Sequence, residues 1–124
     1  MKVIIVDDSE MIRKYLRNLL SEFPNITLVG EATNTADAEL LIETRKPDLV
    51  ILDLYMPGEN GIHLISRLKH KKQTPIIMVL TNYPIEGLRY KSLEDGAQYF
   101  FDKSRDIEKV NETIEMLSKK VYLN

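Results

Sequence analysis

The chain has 124 residues, a net charge of −2, 44% hydrophobic residues and no cysteine. That is one domain's worth of chain with enough apolar content for an ordinary core, and the missing cysteine excludes disulfides, zinc–thiolate sites and thiol catalysis. The interspersed charge offers no basic stripe for a phosphate backbone, which argues against direct nucleic-acid binding. The first apolar run, Val3 to Val6, is too short for a signal peptide or a membrane span, so the expected location is the cytoplasm.

Residues Lys2 to Val6 read as a first strand, ending against Asp7 and Asp8. A helix follows, in which Met11, Ile12, Tyr15, Leu16, Leu19, Leu20 and Phe23 recur at helical spacing and the pattern stops before Pro24. Ile26 to Gly30 reads as the second strand, 36–44 as the second helix, and Leu49 to Leu52 as the third strand, ending at Asp53. A helix over 62–68 leads to the fourth strand, Ile76 to Leu80, followed by Thr81. A weaker helical stretch over 85–94 and a strand from Gln98 to Phe101 bring the chain to Lys103. The last helix carries Ile107, Val110, Ile114, Leu117 and Val121 on one face, with Lys119 and Lys120 in its closing turn, where they suit the helix dipole.

This alternation predicts one α/β domain over residues 1–124, a five-stranded parallel sheet with helices on both faces and right-handed crossovers. The runs 49–52 and 76–80 are continuously apolar, as strands covered on both faces should be. In the flavodoxin-like strand order 2-1-3-4-5, ligands bind at the carboxyl ends of the strands, between the first and the third. The residues at those ends are Asp7 and Asp8, Asp53, Thr81 and Lys103.

Adjacent strands lie about 4.8 Å apart, so Asp7, Asp8 and Asp53 should converge. Two unit charges about 4 Å apart repel by roughly 4 kcal/mol at an effective dielectric near 20, so such a trio takes up a proton or holds a cation. An oxygen-only donor set with room for water favours magnesium. A carboxylate nucleophile, a divalent cation, the Thr81 hydroxyl and the Lys103 ammonium together suit phosphoryl transfer. Each part also has a plainer explanation: Asp7-Asp8-Ser9 suits a helix cap, Asp53 a strand end, and Thr81 a cap for the fourth helix. Capping does not account for the coincidence of polar groups at four strand ends. His63 and His70, among Arg67, Lys69 and Lys71, read as solvated surface, and Arg105, Asp106, Glu108 and Lys109 as the wet face of a helix.

Asp7-Asp8, the run Asp53-Leu54-Tyr55-Met56-Pro57 with Gly61 beyond it, Thr81, Gly96-Ala97 and Lys103 together resemble the receiver domain of bacterial two-component response regulators, over essentially the whole chain. The resemblance implies that Asp53 accepts a phosphoryl group from the phosphohistidine of a sensor histidine kinase or phosphotransfer protein. It implies Mg2+ held by Asp8, Asp53 and the backbone carbonyl of Tyr55, with Asp7 acting through a water. Lys103 would bind the phosphoryl oxygens, Thr81 would follow them, and Phe100 falls where the family keeps its switching aromatic. The face of the fourth and fifth helices around Leu88, Tyr90, Leu93 and Tyr99 would meet the output target or a second copy in a homodimer. Such a domain is a switch rather than a turnover enzyme. It works alone, or as the N-terminal receiver of a longer DNA-binding transcriptional regulator, or as a binding module independent of phosphorylation.

The chain departs from the family pattern at two places. Asn82 stands where the residue after the threonine is usually small, and Ser104 stands where proline commonly follows the lysine, so a cis peptide is not expected there. Tyr55 and Tyr83, with Asn82, are expected to hinder an attacking water and lengthen the phosphorylated state. A haloacid-dehalogenase-type phosphatase would need an acid in place of Tyr55 to protonate the leaving group. A flavin or dinucleotide binder would need a phosphate loop where Asp7 and Asp8 stand.

Overall fold

The computed structural model describes residues 1–82 and 85–123, so Tyr83 lies outside the described residues. Five strands and five helices alternate: β1 Lys2–Val6, α1 Glu10–Leu20, β2 Thr27–Ala32, α2 Thr35–Arg45, β3 Leu49–Leu52, α3 Gly61–Leu68, β4 Ile76–Thr81, α4 Glu86–Glu94, β5 Tyr99–Asp102 and α5 Ile107–Leu123. All pairings are parallel, in the order β2-β1-β3-β4-β5. Among the described residues, no helix is long and apolar enough to cross a membrane.

Successive strand side chains point to opposite faces, and the core divides accordingly. Ile4, Val6, Val50 and Leu52 pack with Ala38, Ile42, Leu64 and Leu68 on one side of the sheet. Val3, Ile5, Leu49 and Ile51 pack with Leu16, Leu20, Val110 and Ile114 on the other. The continuous apolar runs of β1, β3 and β4 follow from this, because their residues are covered whichever way they point.

Most elements differ from the sequence pattern by a residue at one end or both, and α1, β2 and β5 differ for identifiable reasons. The apolar stripe of α1 runs on to Phe23, but the helix ends at Leu20, where Ser21 caps it and its hydroxyl donates to the Asn18 carbonyl. Phe23 reaches the core from the turn beyond. β2 begins one residue later than expected and extends to Ala32, because Glu31 and Ala32 continue the pairing opposite Ile5 and Val6. Glu31 is tolerated there because Arg13 and Arg17 of α1 both bind its carboxylate. β5 is shifted by one residue, so that Asp102 is paired with Thr81 as the last rung.

Three helices begin on side-chain caps from Ser9, Asn34 and Asn60. α4 differs: Ile85 precedes it without a side-chain cap, Gly87 sits in its first turn, and Ser92 is its buried residue. It is held to the rest of the molecule at its far end, where the buried Asp95 carboxylate accepts the Ser66 hydroxyl of α3 at 2.5 Å and the ammonium groups of Lys69 and Lys91 at 3.2 Å each. These bonds, the Ser66 hydroxyl first, hold the Asp95 carboxyl down at about 2.

Candidate functional site

The β1–β3 register pairs Val6 with Leu52, and the next backbone amides continue the ladder, Asp53 to the Val6 carbonyl and Asp7 to the Ala32 carbonyl. Asp7 and Asp53 therefore leave neighbouring strands at the same level, both buried. Asp8, one residue on, is exposed. One carboxylate oxygen from each of the three lies within 4.8 Å of the others. The site opens as a cavity of about 210 Å³ lined by Asp7, Asp8, Met11, Asp53, Tyr55, Asn82 and Lys103, among others.

Lys103 answers much of the repulsion inside this cluster. Its Nζ lies 2.6 Å from Asp7 Oδ2 and 3.3 Å from Asp53 Oδ2, with the lysine side chain only 7% exposed. The Asp53 carboxyl is nevertheless pushed above the usual carboxylate range, chiefly by burial and further by Asp7, with the Lys103 ammonium opposing both. Asp53 Oδ1 also accepts the Tyr55 amide at 3.2 Å, which turns the chain away from β3.

The capping and metal explanations of Asp7-Asp8-Ser9 divide between different residues. Ser9 is the N-cap, its hydroxyl accepting the Ile12 amide, and Asp7 Oδ1 accepts the Ser9 amide at 2.9 Å. Asp8 plays no part in the cap of α1. The Asp7 carbonyl is fixed from α1 by Arg13 Nη1 at 2.8 Å. With one exposed and two buried carboxylates, the cluster is an oxygen-only donor set that fits a hard divalent cation.

Beneath Asp53, the chain needs glycine. A Cβ on Gly61 would lie 2.9 Å from the Asp53 carbonyl oxygen and 3.1 Å from Leu54 Cα. The close approach lets the Gly61 amide donate to the Leu54 carbonyl at 2.9 Å and start α3 directly under the site.

Thr81 ends β4 fully buried, and its carbonyl accepts the Lys103 amide at 2.9 Å. The exposed Asn82, not Thr81, lines the cavity. Phe100 is buried on the α2–α3 side of the sheet, whereas Tyr99 and Phe101 point to the other side and stack with ring centroids 6.0 Å apart. The Arg89 guanidinium of α4 lies over the Phe100 ring and donates to the Phe100 carbonyl. On the face expected to meet partners, Tyr90 and Leu93 are exposed, but Leu88 packs against the core and Tyr99 is half-buried. His63 and His70 are exposed, and His70 lies past the end of α3.

The sequence pattern gave no role to Arg13, Asp95, Asp102 or Ser104. For Asp102 a signal was present, an acid in the strand-end rung directly before Lys103, yet its partners come from the following turn. Arg105 and Asp106 belong to that turn rather than to the wet face of α5, and among the described residues no peptide bond is cis.

The model of the response regulator receiver domain matches residues 3–115. The transcriptional regulatory protein YdfI of Bacillus subtilis is 36% identical over 92% of this chain and 53% of its own length. The nitrate/nitrite response regulator protein NarL of Escherichia coli is 35% identical over 86% of this chain and 49% of its own. The chain thus spans about half the length of these curated relatives. Among solved structures, the signal receiver domain of a DNA-binding response regulator from Colwellia psychrerythraea superposes with a TM-score of 0.87 at 27% identity, covering 96% of this chain and 98% of that one. The chain belongs to the response regulator receiver domain family, a family of signalling modules.

Proposed function

We propose that this chain, residues 1–124, is a receiver whose Asp53 accepts a phosphoryl group from the phosphohistidine of a sensor kinase or phosphotransfer protein. The observation that carries the reading is the buried ammonium of Lys103 resting on both Asp7 and Asp53 within the carboxylate cluster. In the transfer, an Asp53 carboxylate oxygen attacks phosphorus, a P–O bond forms, and the P–N bond breaks with its electron pair going to the imidazole nitrogen, which takes a proton. The Tyr55 amide orients the other carboxylate oxygen, and Lys103 moves from balancing Asp53 to balancing the new phosphoryl oxygens.

Asp8, Asp53 and the Tyr55 carbonyl would hold magnesium, with Asp7 acting through a water. Magnesium, when bound, supplies positive charge against the phosphoryl oxygens. Thr81 and Phe100 form the switch: the buried strand end senses the phosphoryl group, and the buried aromatic under Arg89 carries the change to α4. The exposed part of α4, Tyr90 and Leu93, then meets the output target or a second copy. This reading implies the cytoplasm, where ATP-dependent kinases work.

The curated relatives carry the names of transcriptional regulators and of protein-glutamate methylesterases, so what they share with this chain is the receiver and not the output. Incubation with magnesium and acetyl phosphate, read as intact mass, tests the proposal. One added phosphoryl group that Asp53→Asn abolishes is the expected result, and no addition overturns it.

A further inference from the structure

Asp102 is the buried acid at this end of the sheet that phosphoryl transfer leaves without a task. It is 6% exposed, ends β5 beside Thr81, and does not line the site cavity. Its Oδ1 accepts both the Ser104 amide at 2.8 Å and the Ser104 hydroxyl at 2.7 Å, and its Oδ2 accepts Arg105 Nε at 3.1 Å. Asp106 closes the turn from the far side. Its Oδ2 accepts the Asp102 amide at 2.9 Å, its amide donates to the Asp102 carbonyl, and its carbonyl accepts the Val110 amide in α5.

Lys103 sits in the middle of this turn with the opposite commitment. Its neighbours direct their polar side chains into the turn, whereas its own side chain leaves for Asp7 and Asp53. A lysine stem has four rotatable carbons and a high entropic cost of ordering, so an ammonium is held on two chosen oxygens only if the backbone that launches it is fixed. The backbone bond from the Lys103 amide to the Thr81 carbonyl fixes one side; the Asp102–Ser104 bonds fix the other.

We propose that Asp102 and Ser104 are positioning residues for Lys103, bracing the turn that sets where its ammonium meets the transferred phosphoryl group. The inference rests on the phosphorylation reading above. The Ser104 bonds also hold the Asp102 carboxyl below its ordinary range.

The test uses the whole chain and two probes, magnesium alone and magnesium with beryllofluoride, a phosphoryl mimic. Lys103 touches the mimic but competes with magnesium rather than binding it, so loss of its brace should weaken the second probe without weakening the first. Asp102→Ala should weaken beryllofluoride binding about tenfold, as small misplacements of a charge-stabilising group do. Ser104→Ala should weaken it about threefold, near the low end of one hydrogen bond's net worth. Magnesium affinity should not fall in either variant, since their contacts lie outside the carboxylate cluster. In a Lys103→Ala background the Asp102→Ala change should cost nothing further, because the brace acts only through the lysine.

Unchanged beryllofluoride affinity in Asp102→Ala, a parallel loss of magnesium affinity, or an equal loss with and without Lys103 overturns the proposal. If Asp102→Ala does not fold, Ser104→Ala, which removes one hydroxyl from an exposed residue, carries the test alone, and unchanged beryllofluoride affinity there overturns it. A wild-type chain that takes neither beryllofluoride nor a phosphoryl group defeats the phosphorylation reading instead. A competent wild type with unaffected variants defeats the brace alone.

Discussion

Lys103 Nζ lies 2.6 Å from Asp7 Oδ2 and 3.3 Å from Asp53 Oδ2, so one ammonium ties together the carboxylates that leave two adjacent strands. Without metal, this cation makes the buried pair tolerable. Lys103→Met should therefore lower stability in the absence of magnesium by about 3 kcal/mol, the usual cost of stranding a buried charge. It should also bind magnesium about tenfold more tightly, because a competing positive charge has gone. Chemical denaturation and a magnesium titration followed by tyrosine fluorescence measure the two effects. A weaker magnesium affinity would contradict the assigned charge balance.

Asp53 is held in a position that disfavours its own anion, since burial raises its carboxyl and Asp7 adds to the effect. Asp53→Asn should stabilise the metal-free chain by about 1 kcal/mol at neutral pH. An acid with a raised folded-state pKa is destabilising as the anion, so the gain should be full at neutral pH and fade as pH falls through the carboxylate range. Urea denaturation of both chains across that range measures it.

Asp95 has the opposite sign. Its carboxyl is held at about 2 by the Ser66 hydroxyl, Lys91 and Lys69, against about 3.9 in an unfolded chain. Its contribution is present above the unfolded value and is lost as pH falls toward the folded one. Asp95→Asn should cost about 2 kcal/mol at neutral pH, within the range for hydrogen bonds to a charged group. The difference from wild type should shrink between about pH 4 and pH 2. A pH-independent difference would remove the charge from the explanation.

Two glycines should respond in opposite directions to alanine. At Gly61 the new methyl meets the Asp53 carbonyl at 2.9 Å, so Gly61→Ala should cost about 1–3 kcal/mol and slow phosphorylation by shifting the β3–α3 turn. At Gly87 nothing lies within 4 Å, so Gly87→Ala should stabilise the weakly anchored α4 by about 0.5–1 kcal/mol. Thermal melts of the two variants provide the comparison.

Tyr55 and Asn82 narrow the cavity around Asp53. Tyr55→Ala should shorten the lifetime of the phosphorylated chain severalfold by admitting water to the acyl phosphate. The decay of the phosphorylated mass after donor removal reports it, and an unchanged decay rate contradicts the shielding role.

The strand order and the acid cluster were legible because each depends on a local pattern. Apolar runs such as Leu49–Leu52 stop at a polar residue, and parallel topology brings those stops to one end of the sheet. Glu31 was read as lying outside β2 because its partners, Arg13 and Arg17, are contributed by α1. The face chosen by Phe100 was ambiguous in a run of three aromatics; only the register Val79 with Phe100 resolves it. The sequence pattern places Lys103 within reach of the Asp53 site but not its contacts with Asp7 and Asp53, which arise because a buried ammonium takes the nearest anions. The Asp102–Ser104 turn shows in the sequence only as an acid directly before Lys103, because hydrogen bonds between residues two apart leave no trace in an apolar pattern.

The most direct measurement maps the modified residue. The chain is treated with magnesium and acetyl phosphate, the acyl phosphate is reduced with borohydride to a stable alcohol, and peptides are sequenced by tandem mass spectrometry. The account predicts one reduced side chain, at Asp53, and none when magnesium is withheld. Reduction at Asp7 or Asp8, or an unmodified Asp53 in a folded, magnesium-bound chain, would contradict it.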